Sequence, residues 1–367
     1  MRILTLLFCL LIILGHTASI LAQDKIYTSV YGSVADDSTG EALFGASVYF
    51  VQTTIGVMTD AMGNFTIRTE NPGNYELAVS MVGYKSQRKH VFLEKGKSYK
   101  LDVRLKPAPI NLNTVDVIGE GADEWKKDLE IFKTKFLGSL AKPDDCILEN
   151  TEFINFKWDG KTLIASSSKP VIIINKYLGY KISAEIKEFK FNPETTEMEY
   201  SVIPQYFEIE PKDKDQKEEW ENNRKAIYYG SPEHFLLAFR YDRLKENNFK
   251  VFLVSTPSSQ NTPVIKEVLK RDELLSEDQF SEVPMYKFTD YLQVVYITSS
   301  YGVRTRYKMS FAKLRYPYFS IDDNGIANVH LPFQVFGYWS QFGVASLLPR
   351  NYVPAELNRQ NPLMQKN

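Results

Sequence analysis

Thr39-Gly40-Glu41-Ala42-Leu43-Phe44-Gly45-Ala46-Ser47-Val48 and Thr59-Asp60-Ala61-Met62-Gly63-Asn64-Phe65-Thr66-Ile67 decide the first folded unit. In both stretches turn residues run into apolar ones. Asp60 can accept backbone amides at the head of a tight turn, and Gly63 can take the positive φ that closes it. Gly45 and Gly83 permit a bend or bulge in a strand. Outward from these turns, Tyr75, Leu77, Val79 and Met81 alternate with Glu76, Ala78 and Ser80. Tyr99, Leu101, Val103 and Leu105 alternate with Lys100, Asp102, Arg104 and Lys106. A period of two with one apolar face is a half-buried strand. Further turn signals stand at Asp36–Gly40, Asn71-Pro72-Gly73 and Lys95-Gly96. Short strands at this spacing predict a β-sandwich of about 80 residues.

Together with Gly32-Ser33-Val34, Gly56 and Val82-Gly83-Tyr84, these residues resemble the carboxypeptidase-regulatory-like domain. The resemblance implies a transthyretin-like (prealbumin-like), seven-stranded sandwich over residues 24–107, of a kind common in Bacteroidetes surface proteins. It implies no catalytic centre, because the shared residues make turns and core. In that family the domain often precedes TonB-dependent receptor plugs, but too few residues follow here for such a barrel. A second set resembles a group of Bacteroidetes proteins known by this same domain: Asn175-Lys176-Tyr177-Leu178-Gly179-Tyr180, Trp220 with Arg224, Tyr228 through Leu236, Gly337-Tyr338-Trp339, and Leu348-Pro349-Arg350-Asn351-Tyr352. That likeness implies location and architecture, and no reaction.

The 367 residues suffice for roughly two domains. Apolar residues make up 44%, so sizeable cores are expected, and the 13% aromatic content suits strands. A net charge of −1 leaves no field to draw nucleic acid, which disfavours a nucleic-acid partner. Residues 1–22 combine Arg2, an apolar run from Ile3 to Leu14 and a small-residue exit before Gln23. This reads as a secretory signal peptide, too short in its apolar run to span a bilayer. The expected location is therefore the periplasm, outer membrane or cell surface. With Cys9 removed, Cys146 stands alone between Asp145 and Ile147-Leu148 and is expected to be a buried small hydrophobe.

Residues 108–122 read as a linker, with Val115–Ile118 as a further short strand. A mainly β, α+β unit follows over residues 123–348, then a tail over 349–367. Trp125, Leu129, Phe132 and Phe136 predict an amphipathic helix. Strands are predicted at Asn150–Trp158, Thr162–Ser166, Val171–Lys176, Tyr180–Phe191 and Glu199–Glu208, with Asp159-Gly160 as a hairpin turn. The charged stretch 211–225 reads as a solvated loop and helix. Ser231-Pro232-Glu233 opens a helix: Ser caps, Pro fits the first turn and Glu complements the dipole. Strands resume at Phe249–Ser255, Tyr286–Thr298, Val303–Phe311 and Ile326–Leu331.

The search for chemistry predicts no catalytic, cofactor-binding or metal site. There is no His-x-x-Glu pair of the zinc carboxypeptidases that share the sandwich. Asp322-Asp323-Asn324-Gly325 lacks the remainder of a calcium loop and reads as a turn. Ser231 and His234 are the best nucleophile and base for a hydrolase, yet Ser231 is better explained as a cap. Aromatic rings beside polar residues can stack on sugars or hold peptides. Trp158, Tyr177, Tyr180 and Tyr338 are among them, and Tyr228, Tyr229, His234 and Trp339 form the partner-binding set. The sequence thus predicts a non-enzymatic cell-envelope protein that binds a protein or glycan. A hydrolase or a structural accessory of an outer-membrane system is the alternative.

Overall fold

The computed structural model describes residues 26–108, 122–257, 264–268, 270–277, 283–301, 304–322, 325, 327 and 332–358. The signal-peptide segment and Val115–Ile118 lie outside these residues. The first unit is built from β1 (Thr28–Asp36), β2 (Ser47–Phe50), β3 (Gly56–Met58), β4 (Asn64–Thr69), β5 (Gly73–Ser80), β6 (Tyr84–Lys85), β7 (Gln87–Leu93), β8 (Ser98–Lys100) and β9 (Val103–Pro107). One sheet has the order β4-β1-β9-β6, with β8 also on β1; the other has the order β3-β2-β5-β7. Between them Val30, Val34, Val48, Phe50, Ile67, Leu77 and Leu105 make a closed core. Each such side chain contributes roughly 1.5–3 kcal/mol relative to exposure.

The family resemblance implies seven strands, and nine form. Asp102 explains one extra break: its Oδ1 accepts from Ser33 N at 3.1 Å and from Ser33 Oγ at 3.0 Å. The last strand therefore leaves the ladder between β8 and β9. The turn before β4 is made as its residues require. Asp60 Oδ1 accepts from Met62 N (2.9 Å) and Asn64 N (2.8 Å). Gly63 sits at φ +74°, and a Cβ there would stand 2.5 Å from Val34 O. Gly45 and Gly83 lie in turns, not in bulged strands.

The second unit contains α1 (Ala122–Leu137), β10 (Cys146–Glu149), β11 (Ile154–Asp159), β12 (Thr162–Ser167), β13 (Val171–Asn175), β14 (Tyr180–Phe191), β15 (Met198–Glu208), α2 (Lys214–Tyr228), α3 (Pro232–Arg240), β16 (Phe249–Val254), β17 (Val264–Glu267), β18 (Met285–Tyr286), β19 (Tyr291–Tyr301), β20 (Arg304–Leu314), β21 (Phe319–Ser320), β22 (Phe333–Gly337) and α4 (Ala355–Asn358). One antiparallel sheet has the order β10-β13-β14-β12-β11, with β15 pairing along β14 as an edge. The other has the order β17-β16-β19-β20-β22. Both share one core with the helices.

Helix α1 lays Phe132 edge-on against Phe189 of β14, with centroids 4.8 Å apart. Helix α3 buries Phe235 against Phe249 and Trp339, and Phe239 against Tyr286. Helix α2 clamps the turn between β13 and β14. Asp213 caps its start by accepting from Gln216 N at 2.8 Å. Trp220 Nε1 donates to Lys176 O, Arg224 Nε donates to Leu178 O, and Arg224 stacks 4.0 Å over the Tyr180 ring. Gly179, at φ +71°, lies under the indole, where a Cβ would come within 2.3 Å of Trp220. Cys146 is buried, and burial pushes its thiol up to about 12.

One predicted strand, Tyr286–Thr298, is divided. Met285–Tyr286 pair with Phe319–Ser320, whereas β19 begins at Tyr291 and pairs with β16 and β20. Lys287 N donates to Leu274 O at the break. The predicted strand at Ile326–Leu331 falls almost wholly outside the described residues.

Candidate functional site

The four residues expected to meet a partner are gathered in one place. Tyr228 ends α2, His234 lies in α3, and their rings are 5.2 Å apart, with Tyr229 5.3 Å from the same imidazole. Trp339 packs on Phe235 and donates from Nε1 to Gly230 O at 2.8 Å. Tyr228, His234 and Trp339 are buried, so they shape the segment from within the core. Tyr229 is half-buried and its hydroxyl bonds Glu356 at 3.0 Å.

Ser231 and His234 do not form a nucleophile–base pair. Ser231 Oγ accepts from His234 N at 3.1 Å, as a helix cap. His234 Nδ1 accepts from Gly230 N at 3.2 Å, which leaves the Nε2–H tautomer to donate to Asn247 Oδ1 at 3.1 Å. Both ring nitrogens are thereby occupied. Burial lowers the imidazole to about 4, against a hydrogen bond to Asn247 that favours the proton, so the ring is neutral near pH 7.

Among the described residues, no group of three His, Cys, Asp or Glu side chains is placed to hold a metal. No described helix is long and apolar enough to cross a membrane. The Asp322 turn closes with Gly325 N donating to Asp322 O at 3.1 Å.

The two units meet at a hydrogen-bonded junction. Gln52, on the loop after β2, donates its N–H to Pro204 O on the free edge of β15, at 3.1 Å. Its own carbonyl accepts from Arg350 N at 2.8 Å. Gln52 adopts φ +64°, a left-handed conformation that a non-glycine residue holds only when its surroundings require it. Next to it, Thr54 N donates to Asn351 Oδ1 (3.1 Å), and Asn351 Nδ2 donates to Thr54 Oγ1 (2.8 Å). Arg88 of β7 pairs with Glu185 of β14 further along. The segment around Arg350 is thus stitched to the sandwich.

Arg350 stands at this junction through its bond to Gln52, and Glu233 lies in the first turn of α3. Both have solvent-accessible side chains. Yet surrounding protein desolvates both: the Glu233 carboxyl is raised, against the Ser231 hydroxyl and Arg350, and the Arg350 guanidinium is lowered. Asp322, Tyr206, Glu76 and Glu233 all act on Arg350 across space. Tyr206 is 3% exposed, and burial raises its hydroxyl well above the ordinary phenol range. A groove of about 400 Å³ between β3 and β4 is lined by Thr54–Val57 and Thr66–Arg68. Arg68 is its one charged side chain, whereas the junction carries Arg350 and the Arg88–Glu185 pair. The junction is therefore the stronger candidate.

The signal for this site was present but scattered. Arg350 and Asn351 belong to a Leu-Pro-Arg-Asn-Tyr stretch, and only the fold brings them to Gln52 and Thr54.

Residues 30–117 match the family of the CarboxypepD_reg-like domain. No curated protein matches the chain. Among solved structures, it is similar to the minor pilin GBS52 of Streptococcus agalactiae, at 18% identity and a TM-score of 0.20, over 23% of this chain and 46% of the pilin. It is also similar to a DUF3823 family protein from Bacteroides ovatus, at 12% identity and a TM-score of 0.19, over 50% of this chain and 82% of that one. A candidate carbohydrate binding protein from Bacteroides uniformis is similar at 10% identity and a TM-score of 0.19, over 80% of this chain and 98% of that one. The chain spans less than half the length of the pilin.

Proposed function

From the premise that residues 30–117 match the family of the CarboxypepD_reg-like domain, we propose that this is a non-enzymatic binding protein of the cell envelope, whose partner is a protein or a glycan. The observation that carries the reading is how the polar residues are used. In the sandwich they make turns; at the head of α3, Ser231 and His234 are committed to a cap and to fixed hydrogen bonds. What stays accessible and polar is the seam between the two units, around Arg350 and the Arg88–Glu185 pair, which suits holding more than turning over. Export rests on the charged, apolar and small-residue order of residues 1–22. Association with the outer membrane belongs to the same proposal.

The test is retention. Immobilised protein is incubated with solubilised native envelopes, and one protein or glycan is expected to be retained at a fixed ratio. In parallel, p-nitrophenyl ester hydrolysis is expected to be unchanged by Ser231→Ala. A turnover that disappears with that substitution would overturn the reading in favour of a hydrolase.

A further inference from the structure

Resting on the binding reading, we propose that the groove between β3 and β4 takes an extended, acidic segment of a partner protein, which adds as a strand to the edge of β4. β4 is the outer strand of one sheet of the sandwich, and β3 is the outer strand of the other. The turn Thr59–Gly63 joins the two strands, and no ladder pairs them. The groove of about 400 Å³ lies between them, with Thr54–Val57 on one wall and Thr66–Arg68 on the other.

The backbone of β4 is free on that side. In an antiparallel pair, opposite residues alternate between hydrogen-bonded and non-bonded positions. Val34 N donates to Gly63 O at 2.8 Å, so the alternation makes Phe65 and Ile67 the residues that bond β1. Tyr31 and Ser29, opposite Thr66 and Arg68, turn the other way. Leu101 N donates to Tyr31 O at 2.8 Å, and Ser29 N donates to Lys97 O at 3.0 Å. Thr66 and Arg68 therefore aim their amides and carbonyls away from β1, a row of donors and acceptors for an added strand. On the facing wall Phe50 N donates to Ile55 O at 3.0 Å, so Gly56 likewise turns its backbone away from β2.

Side chains set what fits. Along an added strand they point alternately to two faces. One face meets Ile55, Val57 and Ile67, which belong to or pack on the sandwich core. The other runs beside Thr66 and Arg68, which are exposed. Arg68 is the one charged side chain of the lining and makes no ion pair with a described residue. Opposite charges across neighbouring strands stabilise the pairing, and like charges weaken it. The fitting segment thus alternates apolar and acidic residues. A second copy of this chain fits worse. Asn64–Thr69 carries Arg68 as its only charge, so two β4 edges would bring together two guanidiniums and no carboxylate.

The experiment uses the purified full-length chain and three fluorescein-labelled decapeptides. In one, valine alternates with glutamate; in another, valine alternates with lysine; the last has its valines in one block and its glutamates in another. Fluorescence anisotropy reads binding. The alternating glutamate peptide is expected to bind at one site per chain, about tenfold more tightly than the other two, and to slow amide exchange at Thr66 and Arg68. Thr66→Pro removes an amide that serves no ladder, a position where an outer strand accepts proline. It is expected to abolish binding while circular dichroism stays unchanged. Arg68→Glu leaves the backbone amides in place and is expected to shift the preference to the lysine peptide.

Absence of binding by the alternating glutamate peptide, binding that survives Thr66→Pro, or a preference unmoved by Arg68→Glu would each overturn the proposal. So would a dimer, seen by sedimentation, that Thr66→Pro dissolves, because it assigns the edge to a second copy. If native envelopes yield a partner whose retention ignores both substitutions, the groove fails while the binding reading stands. If neither an envelope component nor a peptide is held, the reading beneath it fails as well.

Discussion

His234 shows how a residue that looks chemical can be structural. Its Nδ1 and Nε2 are both spent, and burial holds its proton affinity down to about 4 against an ordinary 6.5. The unfolded chain binds a proton at this histidine between pH 6.5 and 4, and the folded chain does not. Stability is therefore expected to fall as pH drops through that window and to level off below it, by about 3 kcal/mol from this one site. Urea midpoints at pH 7, 5.5 and 4 check this, and the slope contributed by the site should vanish in His234→Gln. Cys146 is the second case. With its thiol pushed up to about 12 by burial, it should resist iodoacetamide at pH 8 in the native protein and label quickly in urea. Peptide mass mapping reads the result, and fast native labelling would contradict the packing. Both roles were legible only in part. The sequence marked Ser231 as a cap, but Gly230 and Asn247 as partners of the ring arise from the packing of α3 against the loop before β16.

At the scale of elements, periodicity served well wherever a strand has one buried face. β12, β13, β14 and β16 begin and end within a residue or two of their predicted limits, because alternation there reports burial directly. It failed between Tyr286 and Tyr291. Phe288 is still buried within the break, while the backbone exchanges β21 for β16 and β20 as partners. Alternation records which way a side chain points, not which strand accepts its amide. The clamp of α2 over the β13–β14 turn was visible as residues and invisible as a contact. Gly179→Ala tests it. The left-handed backbone and the indole 2.3 Å from a new Cβ together should cost about 3 kcal/mol. Denaturant melts measure the loss, and relief by a second change, Trp220→Ala, would confirm that the indole is the obstacle.

At the scale of the whole molecule, two hydrophobic cores meet at a polar seam. The seam could not be read beforehand, because its bonds join residues nearly 300 positions apart, such as Thr54 and Asn351. Gln52 is its pivot, bonded on one side to Pro204 and on the other to Arg350. Gln52→Pro removes the donated N–H and forbids the positive φ. Calorimetry of the native chain is expected to show one cooperative transition, and of Gln52→Pro two, as each core melts on its own. A single transition in both would mean that the seam does not couple them.

The seam also has a kinetic meaning. The sandwich and the second unit are parts of one chain, so their facing surfaces meet at an effective concentration of about millimolar. A handful of hydrogen bonds, too weak to join separate molecules, is then enough to act as a latch. Anything bound across both faces tightens that latch, and by reciprocity a tighter latch slows the escape of what it holds. Residence time would thus be set by the grip of Gln52 and Asn351 as much as by any group that touches the ligand.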